Sequence, residues 1–152
     1  MSGYETDVVT RLETNLDDCS PEILAAATQQ LLAAGALDVW LTPILMKKGR
    51  VGTMLSVLAE ETTVPALAEL IFRETTAFGL RVEKITRLKL ARRFVEVETP
   101  HGAVTIKLGE REDEILQAAP EYESCRALAQ KTGTPLPQIY AAAQSAAQAL
   151  RG

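Results

Sequence analysis

The chain is poor in the residues that usually announce a chemistry. Its 152 residues hold one histidine, one tryptophan and two cysteines, and aromatic side chains make up 5%. Two cysteines without CxxC spacing cannot build a disulfide framework, so Cys19 and Cys125 read as reduced thiols and small buried hydrophobes. The lone His101 stands at the tip of a "TPHG" turn with no partner in view and reads as inert surface. Trp40 and Tyr4 are too isolated to stack bases. Positive charge is not in excess: the net charge is −4 and the isoelectric point near 5.1, which excludes a general nucleic-acid binder. No apolar run reaches the roughly 18 residues of a membrane span. The opening "MSGYETDVV" lacks the basic-then-apolar pattern of a secretory signal. A cytoplasmic protein is expected, with no membrane or nucleic-acid partner.

What is present is a core. Apolar residues make up 47% of the chain, enough for one domain with an appendage. Residues 6–15 alternate as a strand, with Val8, Thr10, Leu12 and Thr14 on one side and Val9, Arg11, Glu13 and Asn15 on the other. Ser20-Pro21-Glu22 is a helix start, a hydroxyl cap followed by proline at the first helical position. That helix carries Ile23, Ala27, Leu31 and Ala34 on one stripe and stops at Gly35. Residues 36–46 and 51–59 read as a hairpin around "KKGR", with Pro43 marking an edge or a bulge. Residues 62–78 read as a helix capped by Thr62 or Thr63 and ended by Gly79; residues 80–90 read as a strand. The order β-α-β-β-α-β predicts an α+β, ferredoxin-like core with both helices on one face of an antiparallel sheet. A β-hairpin addition at 93–99 and 103–108 follows, then the acidic connector "GEREDEILQAAPEYE" and short helices at 121–132 and 136–150. The expected divisions are 6–90 for the core, 91–109 for the hairpin addition, and 110–152 for the connector and C-terminal helices.

Three stretches are candidates for chemistry. "ETNLDDCSPE" places Glu13, Asn15, Asp17 and Asp18 where a strand hands over to a helix. That suits a hard divalent cation, or else the acids merely favour the positive end of the helix dipole. "MKKGRVG" offers Lys47, Lys48 and Arg50 in a glycine-containing turn. It is a phosphate cradle or an ordinary hairpin turn, and it is not a Walker A loop. Carboxylates near such a turn favour the phosphate–metal reading, because cation and basic side chains share a triphosphate's charge. In "FRETTAFGLR", Arg73, Glu74, Thr75 and Thr76 crowd the C-terminal turn of the expected helix. Glu74 opposes the dipole there, so either a partner holds it for a purpose or it simply pairs with a neighbouring arginine.

The ordered set "ETNLDD…PE", "AGALDVWLTPILMKKGR", "IFRETTAFGLR" and "PEYESCRALA" resembles the C-terminal domain of the LarC family, over about residues 6–140. The family is the nickel insertion protein of the nickel-pincer nucleotide pathway, which supplies the cofactor of lactate racemase. The resemblance implies a CTP-dependent cyclometallase, a lyase. It places Ni into pyridinium-3,5-bisthiocarboxylic acid mononucleotide, forming one nickel–carbon and two nickel–sulfur bonds. It further implies CTP bound with Mg or Mn, and a homo-oligomer, with a hexamer as one candidate number. Carried onto this sequence, it implies metal ligation by Glu13, Asn15, Asp17 and Asp18, and nucleotide contacts from Lys47, Lys48, Arg50, Thr75, Thr76 and Arg81. No catalytic residue is assigned. Cys19 stands where the family pattern leads us to expect methionine, and Val51 where it leads us to expect proline. The family's long N-terminal domain is not in this chain, so a partner domain is expected and turnover by these residues alone is not. The rival reading is a ferredoxin-like sensing or oligomerisation module without catalysis, because the fold hosts many of these.

Overall fold

The computed structural model describes residues 3–151. The chain divides into two compact units, one spanning Asp7–Arg87 and the other formed by the residues from Leu88 onward with those through Thr6.

The first unit is built on a four-stranded sheet of β1 (Glu5–Leu16), β2 (Asp38–Leu45), β3 (Val51–Ala59) and β4 (Arg81–Lys89), in the order β2-β3-β1-β4. β1 and β2 each pair antiparallel with β3. Along β1 and β4 the bonded partners are Asp7 with Arg87, Arg11 with Glu83, and Asn15 with Arg81, so these strands also run in opposite directions. With α1 (Pro21–Ala33) and α2 (Val64–Glu74) this is the expected ferredoxin-like arrangement. Leu12 and Leu16 of β1 and Leu55, Val57 and Ala59 of β3 form one buried cluster with Leu24 and Leu31 of α1 and Leu67 and Ile71 of α2. Residues of a single strand parity meet both helices, so the helices share one face. Pro43 lies on β2, an edge strand of this sheet, where its missing N–H costs no internal ladder bond.

Local details differ from the sequence expectation. Ser20 caps α1 as expected, its hydroxyl accepting from the Ile23 N–H at 3.3 Å. The buried stripe is Leu24, Ala27 and Leu31, whereas Ile23 is 47% exposed. A proline-led first turn sets the helix phase, and 3.6-residue periodicity then favours Leu24 over its neighbour. The second helix is shorter than 62–78. A single 3₁₀ turn, Glu61–Thr63, leads into α2, which ends at Glu74 rather than at Gly79. Thr75 ends it: its hydroxyl donates to the Ile71 carbonyl at 2.7 Å and accepts from the Ala77 N–H at 3.2 Å, offering the backbone another partner. Thr75 and Thr76 therefore sit in a loop, not on a helical turn.

The second unit carries β5 (Ala91–Thr99), β6 (Gly102–Arg111), β7 (Glu114–Pro120), α3 (Tyr122–Thr132) and α4 (Leu136–Ala149). The expected hairpin is present, with Pro100 and His101 at its tip between Thr99 and Gly102. The stretch read as an acidic connector contains a third strand, β7, paired antiparallel with β6. Glu112 and Asp113 both have positive φ, 49° and 68°, and join Arg111 to Glu114 as a two-residue loop of the I′ kind. An acidic pair without glycine hid that turn. Val104, Ile106 and Leu108 of β6 pack with Cys125 of α3 and with Ile139, Ala143 and Ala147 of α4. Cys125 is wholly buried as expected, and burial pushes its thiol pKa up; Cys19 is half-buried against the first unit's core.

Candidate functional site

One end of the first sheet gathers three stretches that are far apart in sequence. Antiparallel register brings Leu16 at the end of β1 opposite Thr53, and Leu45 at the end of β2 opposite Val51. β4 starts beside Asn15, because the Arg81 Nη2 donates to the Asn15 Oδ1 at 2.8 Å. The β1–α1 loop, the β2–β3 turn and the α2–β4 loop thus open on the same side.

Three residues, Arg50, Thr76 and Arg81, join the acidic stretch to the others. Arg50 Nη1 lies 3.1 Å from Asp17 Oδ2, with the aspartate side chain 20% exposed. The Thr76 hydroxyl donates to Asp18 Oδ1. Arg81 reaches Asn15, and its Nε lies 3.6 Å from Glu13 Oε2. Lys47 and Lys48 lie in a 3₁₀ turn, Lys47–Gly49, both exposed and without an ion pair to any described residue. Lys48 holds φ of 62°, a left-handed conformation that a side chain disfavours. Thr75 is close in sequence to this group, but its hydroxyl is engaged in ending α2. Glu74 is held by Gln30, whose Nε2 donates at 3.2 Å, while Arg73 pairs instead with Glu69.

Glu13 sits deeper than the two aspartates. Its side chain is 14% exposed, Arg11 Nε lies 3.4 Å from Oε1, and the buried Ser56 hydroxyl donates to Oε1 at 3.3 Å. Arg11 in turn reaches Glu83 on β4 at 2.6 Å. Arg11 and Ser56 were not among the sequence candidates. Alternation had placed Arg11 on the same side as Glu13, but only the β1–β3 register, which pairs Glu13 with Ser56, supplies the serine.

The four residues expected around a metal do not converge into one cage. Among the described residues no group of three or more His, Cys, Asp or Glu side chains is placed to hold an ion. Mg²⁺ in nucleotide sites is commonly held by one or two carboxylates together with substrate phosphates and water. Asp17 and Asp18, adjacent and at the open end, fit that role. Glu13 and Asn15, already facing arginines, are placed to hold Arg81. The N-terminal turn of α1 is itself supplied: its own backbone N–H and the Ser20 hydroxyl hold the Glu22 carboxyl below the usual carboxylate range.

The model of a protein family described as "nickel insertion protein" matches residues 1–140. The chain belongs to that family. A relative from Myxococcus xanthus that bears the family's name is 46% identical over 135 residues, 89% of this chain and 35% of its own length. Another, from Syntrophotalea carbinolica, is 50% identical over 143 residues, 94% of this chain and 36% of its own length. The chain therefore spans about a third of these relatives. Among solved structures, it is similar to LarC2, described as the C-terminal domain of a cyclometallase involved in the synthesis of the NPN cofactor of lactate racemase, in apo form. That similarity has a TM-score of 0.83 and 41% identity, and covers 93% of this chain and 97% of that one. A protein from Methanopyrus kandleri follows with a TM-score of 0.67 and 26% identity, covering 94% of this chain and 90% of that one. Family membership and the LarC2 likeness agree with the motifs that pointed to the LarC family.

Proposed function

We propose that this chain is the CTP-binding C-terminal domain of a nickel insertase, a CTP-dependent cyclometallase of the lyase class. Its substrate would be pyridinium-3,5-bisthiocarboxylic acid mononucleotide, and its product the nickel-bearing cofactor of lactate racemase. Nickel is cargo in this reading. The observation that carries it is the convergence of Asp17, Asp18, Lys47, Lys48, Arg50, Thr76 and Arg81 at one end of the sheet.

The residues divide by chemistry. Lys47, Lys48 and Arg50 would neutralise the triphosphate, and the exposed lysines have no ion pair with a described residue to give up. Asp17 and Asp18 would hold the Mg or Mn that accompanies the nucleotide, an ion that supplies charge neutralisation between phosphates. Thr76 and Arg81 would orient the phosphate chain. Glu13 and Asn15 would act on Arg81 as positioning residues. In the free domain Asp17 is paired with Arg50, so nucleotide and ion together would exchange one salt bridge for two sets of charge-assisted contacts. Because the protein's own ligands are few, the ion alone would bind weakly and CTP would strengthen it.

The handling of nickel and of the pincer substrate would be shared with the family's N-terminal domain. The assembly would be a homo-oligomer. β2 is an edge strand bearing Leu41 at 40% and Leu45 at 75% exposure, a surface that a second copy could cover. Sedimentation at micromolar concentration is expected to give a species larger than the 16.5 kDa monomer, and a monomer throughout would remove this part of the proposal. A ferredoxin-like sensing or oligomerisation module without catalysis is the second reading, because the fold hosts many of these.

Calorimetry with CTP and ATP, each with and without a chelator, tests the central claim. CTP is expected to bind more tightly than ATP and to lose most of its affinity with the chelator. Equal or absent heats for the two nucleotides would overturn the proposal. Single-turnover analysis of CTP with the N-terminal domain present separates the catalytic from the sensing reading.

A further inference from the structure

A second candidate site lies in the other unit. A cleft of about 280 Å³ opens among the end of β4, β5, β6 and β7. Its apolar part includes Leu88, Leu90 and Ala119, its polar part includes Gln117 and the cations Lys89, Arg92 and Lys107, and among the described residues no carboxylate lines it. This is unusual in a chain whose net charge is −4. Register explains how the cations meet. Arg92 pairs with Gly109 in the β5–β6 ladder, while Lys107 pairs with Phe94 on β5 and Ala119 on β7. Arg92, Phe94, Lys107 and Ala119 therefore share a sheet face, and Leu108, of opposite parity, belongs to the core that meets the helices.

The neighbouring arginines show how differently this face is treated. Arg93 donates to the Glu110 carboxylate through Nε and Nη2, the latter at 2.6 Å. Arg92 has no hydrogen bond or ion pair to any described residue, although it is next in sequence. Lys107 reaches Glu121 at 3.0 Å, and its side chain remains 45% exposed. The cleft's floor exists because position 109 is glycine. A Cβ there would come within 2.8 Å of Leu90 Cδ1 and 3.3 Å of Gln117 Cβ. Phe94 is 57% exposed on the same face and offers an aromatic surface near the cations.

We propose that this cleft binds a small organophosphate with a flat apolar body, an aryl phosphate in chemical class. Arg92 and Lys107 take the phosphate, the guanidinium as a fork, and Leu88, Leu90 and Ala119 take the ring. The cleft's volume suits a compact ligand of this kind rather than a nucleoside triphosphate. The assignment uses none of the residues at the sheet end and stands apart from the CTP reading.

The test is calorimetry with phenyl phosphate on the full chain carrying Lys47→Ala and Lys48→Ala, which removes the competing cations of the other site. Saturable binding at least tenfold tighter than that of inorganic phosphate is expected. Arg92→Gln and Lys107→Gln should each weaken it tenfold or more, and Arg92→Lys should restore part of the loss. Gly109→Ala should weaken it with all charges in place, by driving Leu90 into the cleft. CTP binding by the chain with native Lys47 and Lys48 should be unchanged by Arg92→Gln. Binding that survives the Arg92→Gln, Lys107→Gln double variant, or no saturable binding in a chain that melts normally, overturns the proposal. So does equal affinity for phenyl phosphate and inorganic phosphate.

Discussion

Arg50 Nη1 and Asp17 Oδ2 lie 3.1 Å apart although 33 positions separate them in the chain. The pair ties the turn between β2 and β3 to the loop that leaves β1. It also links the two charge clusters whose proximity a phosphate–metal reading requires. An exposed pair of this kind contributes little stability, about 0–1 kcal/mol, so it can open readily for a ligand.

The first prediction separates the two clusters by how they fail. Asp17→Asn with Asp18→Asn should remove most of the metal dependence of CTP binding, because an amide is a poor ligand for a hard cation. Weak, metal-independent binding should persist through the lysines. Lys47→Ala with Lys48→Ala removes two charge-assisted contacts, each worth about 1.5–3 kcal/mol, and should weaken CTP strongly while the metal still enhances what remains. Titrations with and without Mn²⁺ read both effects, and ligand-free melting should be close to wild type. Two folded double variants that bind metal–CTP normally would reduce the acidic stretch to a helix entry.

Lys48 offers a test in which stability and function move in opposite directions. Its φ of 62° costs about 1–2 kcal/mol for a residue with a side chain. Lys48→Gly should raise the melting temperature by a few degrees and lower CTP affinity. A variant that loses stability shows the turn to be held by contacts of the lysine stem instead.

Gly52 is required by the approach of β1. A Cβ there would meet the Leu16 carbonyl oxygen at 2.7 Å and the Met46 sulfur at 2.6 Å. Met46 can turn away, whereas the Leu16 backbone can move only by parting β1 from β3. Gly52→Ala should therefore destabilise by about 1–3 kcal/mol, as overpacking does. It should also disturb the loop holding Asp17 and Asp18. Denaturant unfolding with a CTP titration measures both, and a neutral result in each would show the sheet end to be more pliable than its geometry suggests.

Cys125 predicts an alkaline weakness of the second unit. Burial raises its thiol pKa, so the folded state keeps a proton that the unfolded chain releases. Its contribution is complete below the ordinary thiol value of about 8.5 and is lost as pH rises through the folded value. Cys125→Ala should flatten the decline in stability above that pH, while leaving its own cavity cost at neutral pH. Thiol labelling of the native protein should favour the half-buried Cys19 over Cys125. Equal labelling rates at low denaturant would place the opening of this unit near the native state.

Much of the first unit was legible because its signals are local. Strand alternation put Leu12 and Thr14 on the buried side and Arg11 and Glu13 on the other. Ser20-Pro21 marked a helix start through hydroxyl capping and a preset φ, and Pro43 marked an edge or a bulge through its missing donor, of which the edge is observed. The order of elements then limited the topology to few choices, and β2-β3-β1-β4 is the one observed. The acidic and basic stretches could be named as candidates from residue type alone.

Tertiary structure decided what depends on contacts distant in sequence. One difference was itself local: the end of α2 is set by the Thr75 hydroxyl donating to the Ile71 carbonyl four positions back, not by Gly79. The strand β7 lay hidden in acidic sequence because its turn uses Glu112 and Asp113 at positive φ and its pairing comes from β6. Ser56 beneath Glu13, and the Arg50–Asp17 and Thr76–Asp18 contacts, follow from strand register and loop geometry that side-chain spacing does not encode. Local backbone preference can be read a few residues at a time. The position of a charge relative to a partner 33 or 58 residues away is fixed only when the strands between them have paired.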